Sequence, residues 1–381
     1  MNDQAAHRAD LCIDLSAIRH NVGTLSDRAR RSGARTMAVL KSDGYGHGAP
    51  AVASAALRSG AEWLGVASIA EALQLRAGGV EAPVLCWLYR REDDIAAAVA
   101  AGVDLSVSSS RELSGVVEAV GAVGRPARIH LKVDTGLHRN GALPEDWGQL
   151  VEEAAKAEAD GTVEVFAVWS HLACADEPGH PSIDMQARRF RLAHQHAVDA
   201  GLRPLRHLAN SAALLTRPDL HFDMVRPGIA LYGLDPVPQA GSHDLRPAMT
   251  FRSTVVLTKR IQAGEAVSYG HMWVAPAETN LALVPVGYAD GVPRSLSGRM
   301  SVWLRGKRRP VVGKVCMDQL VVCCDDDEVE EGDEVVLFGP GDSGEPTAAE
   351  WAREVGTIHY EIVTGMYRPR VSRTLVAEDP V

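Results

Sequence analysis

An eightfold alternation constrains this chain more than any other feature. Short β-branched or apolar runs recur: "RTMAVLK" (35–41), "WLGVAS" (63–68), "PVLCWLY" (83–89), "DLSVSS" (104–109), "ARIHLKVDT" (127–135), "VEVFAVWSH" (163–171), "LRHLAN" (205–210) and "FDMVRPG" (222–228). Between them lie longer Ala/Leu-rich amphipathic runs such as "APAVASAALRSG" and "SIDMQARRFRLAHQHAVDAG", several ending in Gly as helices do. Strands alternating with helices imply a parallel sheet, and eight such units close into a (β/α)₈ barrel. Beyond residue 240 the texture changes. Runs such as "MTFRSTVVLTKRI", "NLALVPVGYADG" and "RPVVGKVCMDQLVVCC" alternate or are β-branched, and Gly, Pro and charged turns separate them. The expected architecture is α/β, with a TIM-like barrel over residues 8–240 followed by a mostly β domain over 241–381.

The 381 residues exceed the usual single-domain size, which agrees with two domains. A net charge of -10 gives no bulk attraction to nucleic acid or an anionic membrane, so a small metabolite is the expected partner. No basic stretch leads into an apolar one at the N-terminus, and no run approaches the ~18 apolar residues of a membrane span. The reading is a cytoplasmic protein. Cys12, Cys86, Cys174, Cys316, Cys323 and Cys324 form no C-x-x-C pair and sit mostly in apolar runs, which implies reduced thiols and no metal site.

A barrel carries its chemistry at the C-terminal ends of its strands. Lys41 follows the first strand, with Tyr45 four residues on. Lys132 ends the fifth, with Arg139 in the following Gly-flanked loop, and His171 ends the sixth. Asn210 and Ser211 stand where the seventh strand meets a helix start. Arg226, Gly228 and Ile229 follow the eighth. Each residue alone has an ordinary explanation, as a loop lysine, an N-cap or a strand-end ion pair. Their gathering at one end does not. A lysine able to form a Schiff base, a partner for a ring nitrogen and backbone N–H groups for a phosphate together suit pyridoxal 5'-phosphate (PLP).

The motifs "AVLKSDGYGHG", "KVDTGLHRNG", "HLANSAA", "DMVRPGIALYGL", "VSYGHMW", "VGYADGVPR" and "KVCMDQ" together resemble, in order, the bacterial PLP-dependent alanine racemases, most closely the actinobacterial branch. The resemblance spans about residues 8 to 370 and implies a fold type III PLP enzyme that interconverts L- and D-alanine to supply D-alanine for peptidoglycan. It implies that Lys41 holds PLP and is the base on the D side, with Tyr269 of a partner subunit the base on the L side. It surrounds the phosphate with Tyr45, Ser211, Gly228, Ile229 and Tyr367, and sets Arg226 at the ring nitrogen. Arg139 is implied at the phenolic oxygen and the substrate carboxylate, Met317 at the same carboxylate, and Lys132 beside Arg139 as an often carbamylated lysine. Asp318 is implied in a supporting role, and Tyr288 and Arg294 as gate residues. Two opposed bases suit racemisation, which removes a proton from one face of Cα and returns one to the other. A phenol, with an ordinary pKa of ~10, needs activation, and the resemblance gives that task to His171, itself linked to Arg226. It further implies a head-to-tail homodimer, since Lys41 and Tyr269 lie in different domains. Ser42, Asp43 and Gly44 depart from the common "KANAYGHG" form, and "MYRPRVSR" is one residue shorter than the family's usual stretch. The alternatives are a related racemase of a larger amino acid such as serine, a biosynthetic paralogue, a decarboxylase of similar fold or a non-catalytic PLP-binding barrel. The Tyr269 motif has no role in the last two.

Overall fold

A computed structural model describes residues 8–376. Its contacts divide the chain into two compact units, with Ile18–Leu245 forming one and the flanking segments the other. After the N-terminal strand β1 (Ala9–Asp14) come the barrel strands β2 (Arg35–Val39), β3 (Trp63–Val66), β4 (Val84–Cys86), β5 (Asp104–Val107), β6 (Ala127–Lys132), β7 (Val163–Trp169), β8 (Leu205–Asn210) and β9 (Met224–Arg226). They pair in parallel in that order, and β9 returns to β2 to close the barrel. All eight fall within the runs read from the sequence. Most are almost continuously buried, as strands covered by helices on one side and packed against one another on the other must be, while β7 and β8 are partly exposed toward one end. Met37, Trp63, Leu85 and Met224 meet inside, with Trp87 and Phe166 against them. Capping fixes the helix starts: the Ser68 hydroxyl accepts from Glu71 N at 3.3 Å while the Glu71 carboxylate accepts from Ser68 N at 3.0 Å.

The second unit holds a nine-stranded sheet. Its strands are β10 (Met249–Thr254), β11 (Leu257–Ile261), β14 (Thr279–Val284), β15 (Ser301–Leu304), β16 (Lys307–Val312), β17 (Leu320–Asp325), β18 (Glu334–Phe338) and β19 (Val371–Val376), together with β1. Their order is β11-β14-β17-β16-β15-β18-β10-β1-β19, and the short strands β12 (Ala266–Val267) and β13 (Trp273–Val274) pair separately. Phe251, Phe338 and Trp351 pack together in its core, tilted and edge-to-face, with ring centroids 5.9 and 5.1 Å apart. The boundary differs from the sequence expectation at both ends, since β1 lies between β10 and β19 and belongs to the β unit. The pattern of β1 explains this: Ala9, Leu11 and Ile13 are buried while Asp10, Cys12 and Asp14 are partly exposed, which suits a sheet with one open face rather than a barrel. All six cysteines are free thiols, and burial pushes Cys86 up to about 12, so it is an inert packing group.

Candidate active site

The turn after β2 is a short left-handed helical stretch. Ser42, Asp43, Gly44 and Tyr45 all have φ between 52 and 62°. For three of them a side chain makes that conformation unfavourable, by roughly 1–2 kcal/mol each. Local hydrogen bonds over-determine it. Gly44 N donates to Leu40 O at 2.7 Å, Asp43 Oδ1 accepts from Ala49 N at 2.9 Å, and Glu71 accepts from Ser42 N, Ala67 N and Ser68 N. The sequence shows here only a departure from the common "KANAYGHG" form; the structure shows a wound turn whose handedness presents Lys41 and Tyr45 together. The Lys41 ammonium lies 5.7 Å from the Tyr45 ring centre. Burial lowers the Lys41 pKa, and Arg139 lowers it further.

Behind the lysine is a cluster of cations. Arg226, on β9, is almost fully buried. Its Nη2 donates to Ser170 O at 2.7 Å and Leu208 O at 3.2 Å and lies 3.4 Å from His171 Nδ1, while Nη1 donates to His207 Nδ1 at 3.0 Å. Its Nε finds no acceptor among the described residues. Burial pulls Arg226 down to about 9, so the guanidinium still holds its proton at neutral pH. Lys132 lies 4.2 Å over the Trp169 ring; burial, then Arg226 and Arg139, bring it down to about 7. His171 is held well below the ordinary imidazole range by burial and by the same cations, so it is neutral. Among the described residues no carboxylate forms an ion pair with Lys41, Lys132, Arg139 or Arg226. Such a cluster is a receptor for anionic groups.

A second part of the site accepts a close approach. Ser211 Oγ takes hydrogen bonds from Gly228 N at 2.8 Å and Ala230 N at 3.3 Å, which binds the turn after β9 to the start of the helix after β8. A Cβ on Gly228 would lie 2.4 Å from the Tyr45 hydroxyl, so only glycine fits. Tyr45 in turn packs on Tyr232 at 4.9 Å. Lys41, Tyr45, Lys132, His171, Ser211, Arg226, Gly228 and Ile229 therefore gather at one end of the barrel, with Arg139 exposed in its loop. Asn210 is at that end too, but its side chain caps the following helix by accepting from Ala213 N at 3.1 Å.

The remaining candidates lie in the β unit, most of them around residues 314–318. Tyr288 N and Ala289 N donate to Cys316 O and Met317 O, both at 3.0 Å. Gly287 is required there, since its Cβ would lie 2.2 Å from Cys316 O. Ser268, next to Tyr269, donates to Lys314 O at 3.0 Å, and Ser297 Oγ bridges Arg294 O and Val315 N. Asp318 pairs with Arg370 at 2.7 Å, and Arg370 reaches buried Asp290 at 3.3 Å. Tyr367 carries the Arg373 guanidinium 4.5 Å over its ring. Tyr269, Met317 and Tyr367 are respectively 69%, 52% and 53% exposed in the single chain.

Sequence reasoning passes over several supporting residues: Glu71, Asp104, His130, His207, Tyr232, Asp290 and Arg370. A signal exists for two of them. His130 in "ARIHLK" and His207 in "LRHLAN" are polar residues inside buried strands, where a polar group needs a dedicated partner.

A closed (β/α)₈ barrel with a lysine at the end of its first strand, joined to a β domain, defines the class of fold type III PLP-dependent enzymes. Residues 13–236 match the family model "Alanine racemase, N-terminal domain" and residues 248–375 match "Alanine racemase, C-terminal domain". The chain belongs to the alanine racemase family. It is 54% identical over 375 residues to an alanine racemase of Salinispora arenicola, covering 98% of this chain and all of that protein. To an alanine racemase of Mycobacterium avium it is 52% identical, covering 96% and 94%. The solved alanine racemase of D-cycloserine-producing Streptomyces lavendulae superposes with a TM-score of 0.95 at 49% identity, covering 98% of each chain. That of Streptomyces coelicolor gives 0.94 at 50% identity, covering 97% and 98%. The family depends on PLP, and the residues present fit that cofactor. Arg226 Nε makes no hydrogen bond to a described residue and is left as a donor, Lys41 is an amine with a lowered pKa, and Tyr45, Ser211 and the Gly228 turn stand together at the same end of the barrel.

Proposed function

We propose that this chain interconverts L- and D-alanine in a cytoplasmic head-to-tail homodimer, each site combining the barrel of one subunit with the β unit of the other, and so provides D-alanine for peptidoglycan. The observation that carries the reading is the Arg226 arrangement. Both Nη groups are committed to the protein and Nε–H is left to face a ring nitrogen, which a guanidinium can bond without giving up its proton. Lys41 would hold PLP, Ser211 would donate its hydroxyl hydrogen to the phosphate beside Tyr45, Gly228, Ile229 and Tyr367, and Arg139 would bond the phenolic oxygen.

When bound, PLP supplies an electrophilic aldehyde and a conjugated ring that draws electrons from Cα of the amino acid. Arg226 moderates that withdrawal, because it donates a hydrogen bond but not a proton. Lys41, made less basic by burial and Arg139, removes or returns a proton on one face of Cα. Tyr269 of the partner subunit does so on the other face. His171, neutral and turned with Nδ1 to Arg226, offers Nε2–H to the phenolic oxygen of Tyr269 and stabilises it when it has lost its proton. Arg139 and the N–H of the partner subunit's Met317 hold the substrate carboxylate, Lys132 orients Arg139, Asp318 braces the 314–318 loop through Arg370, and Tyr288 and Arg294 border the entrance. The exposure of Tyr269, Met272, Tyr288 and Met317 in the single chain supports a partner surface there. The test is to assay the purified PLP-loaded protein with L-alanine, D-alanine and L-serine by chiral chromatography. Alanine converts from either side to an equal mixture, and faster than serine. Cofactor binding without alanine racemisation would overturn the reading.

A further inference from the structure

We propose that Asp104 and His130, deep in the barrel and remote from the reacting groups, are positioning residues that fix the proton arrangement of His207 and thereby hold Arg226 as a one-way hydrogen-bond donor. The proposal rests on the reading of Arg226 as the partner of the cofactor ring. Four side chains from four strands form a continuous line. Arg226 Nη1, at the end of β9, is 3.0 Å from His207 Nδ1 on β8. His207 Nε2 is 2.9 Å from His130 Nδ1 on β6. His130 Nε2 is 3.4 Å from Asp104 Oδ2 at the start of β5, the longest link.

Hydrogen-bond capacity at the two ends determines everything between them. A guanidinium only donates, so His207 Nδ1 must accept and its single proton sits on Nε2. A carboxylate only accepts, so His130 must carry its proton on Nε2 and accept at Nδ1. Both requirements agree, and each imidazole then has one proton. A second proton on either ring would set two N–H groups against each other or an N–H against the guanidinium. Burial agrees with this count, holding His130 below and His207 well below the ordinary imidazole range. Asp104 is held below the ordinary carboxylate range against its burial by His130 and by Arg128, which donates from Nε at 2.8 Å; Trp63 Nε1 also donates to it at 2.9 Å.

The arrangement answers a particular need. A buried guanidinium requires a compensating negative charge. A carboxylate beside the ring nitrogen would let that nitrogen take up a proton and would deepen the electron sink. The two imidazoles instead give Arg226 an acceptor whose orientation the carboxylate sets, with no acid at the ring, while the Asp104 charge itself is paired with Arg128 at 2.8 Å.

The experiment uses the holoenzyme with ¹⁵N-labelled histidine, the two residues being assigned by comparison with His130→Gln and His207→Gln variants. NMR is expected to find His130 and His207 each protonated on Nε2 alone across the neutral pH range. An Nδ1–H on either ring, or a doubly protonated ring, overturns the proposal whether or not alanine is racemised. Asp104→Asn is expected to scramble this tautomer pattern, to shift the visible absorption band of bound PLP and to lower kcat roughly 10–100-fold, the usual consequence of losing a supporting partner, with KM little changed. Trp63→Phe removes a hydrogen bond from the same carboxylate but leaves its charge, so tautomers and band are expected to persist. Equal changes in both variants would reduce Asp104 to a structural role and refute the proposal.

Discussion

Gly228→Ala tests the close fit at the Ser211–Gly228 turn. The added Cβ would stand 2.4 Å from the Tyr45 hydroxyl oxygen and 3.1 Å from the ring carbon bearing it. Ordinary carbon–oxygen contact is about 3.5 Å, so the overlap with the hydroxyl is roughly 1 Å. Tyr45 cannot swing aside freely, being 6% exposed and packed on Tyr232 with ring centres 4.9 Å apart. Overpacking of this kind costs about 1–3 kcal/mol. For a unit the size of this barrel that lowers Tm by roughly 2–4 °C per kcal/mol. The assay is a double-mutant cycle in thermal and urea unfolding. In a Tyr45→Phe background the nearest atom is the ring carbon, the overlap shrinks to a few tenths of an ångström, and Gly228→Ala is expected to cost about 1 kcal/mol less than in the wild type. PLP affinity should fall in the single variant, since Tyr45 is the group displaced. Equal costs in both backgrounds would refute the steric argument.

Tyr269→Phe should abolish solvent exchange of the α-proton of L-alanine while exchange from D-alanine and PLP binding persist; equal loss on both sides, read by ¹H NMR in D₂O, would contradict the two-base assignment. Glu71→Gln keeps the shape but halves the acceptor set that holds the left-handed turn, at a cost of about 1–3 kcal/mol, and should appear as faster PLP dissociation with the fold intact by circular dichroism. Lys132, brought down to about 7, is an ammonium ion in acid and a free amine above neutrality. Only the amine adds to carbon dioxide, and the resulting anion would sit among Arg226 and Arg139. A carbamate ¹³C signal from labelled bicarbonate should therefore grow from pH 6 to 8 and vanish in Lys132→Met.

The barrel was legible because its cause is local: each βα unit writes its own periodicity, and eight of them leave few other ways to close. The β domain was legible as a class, yet its register and the place of β1 were not, because a strand that pairs with residues some 240 and 360 positions away carries no local mark of its partners. Lys41 and Arg226 stand at strand ends, where topology alone gives a residue meaning. Glu71, His207 and Asp104 act through hydrogen bonds to residues far along the sequence, so only coordinates reveal them. The left-handed turn was hidden for another reason. Ser42 and Asp43 are not residues that require positive φ, and their conformation is imposed by Leu40, Ala49 and Glu71 around them.

The central claim, a racemase site assembled from two subunits, is tested most directly by complementation. Lys41→Ala and Tyr269→Phe chains are each expected to be inactive in alanine racemisation. Mixed and allowed to exchange, a head-to-tail dimer places both lesions in one site and leaves the other whole, so about a quarter of wild-type activity should return at statistical exchange. Mass spectrometry under native conditions reports the mixed dimer independently. A mixture that forms mixed dimers yet stays as inactive as its parts would contradict the shared site.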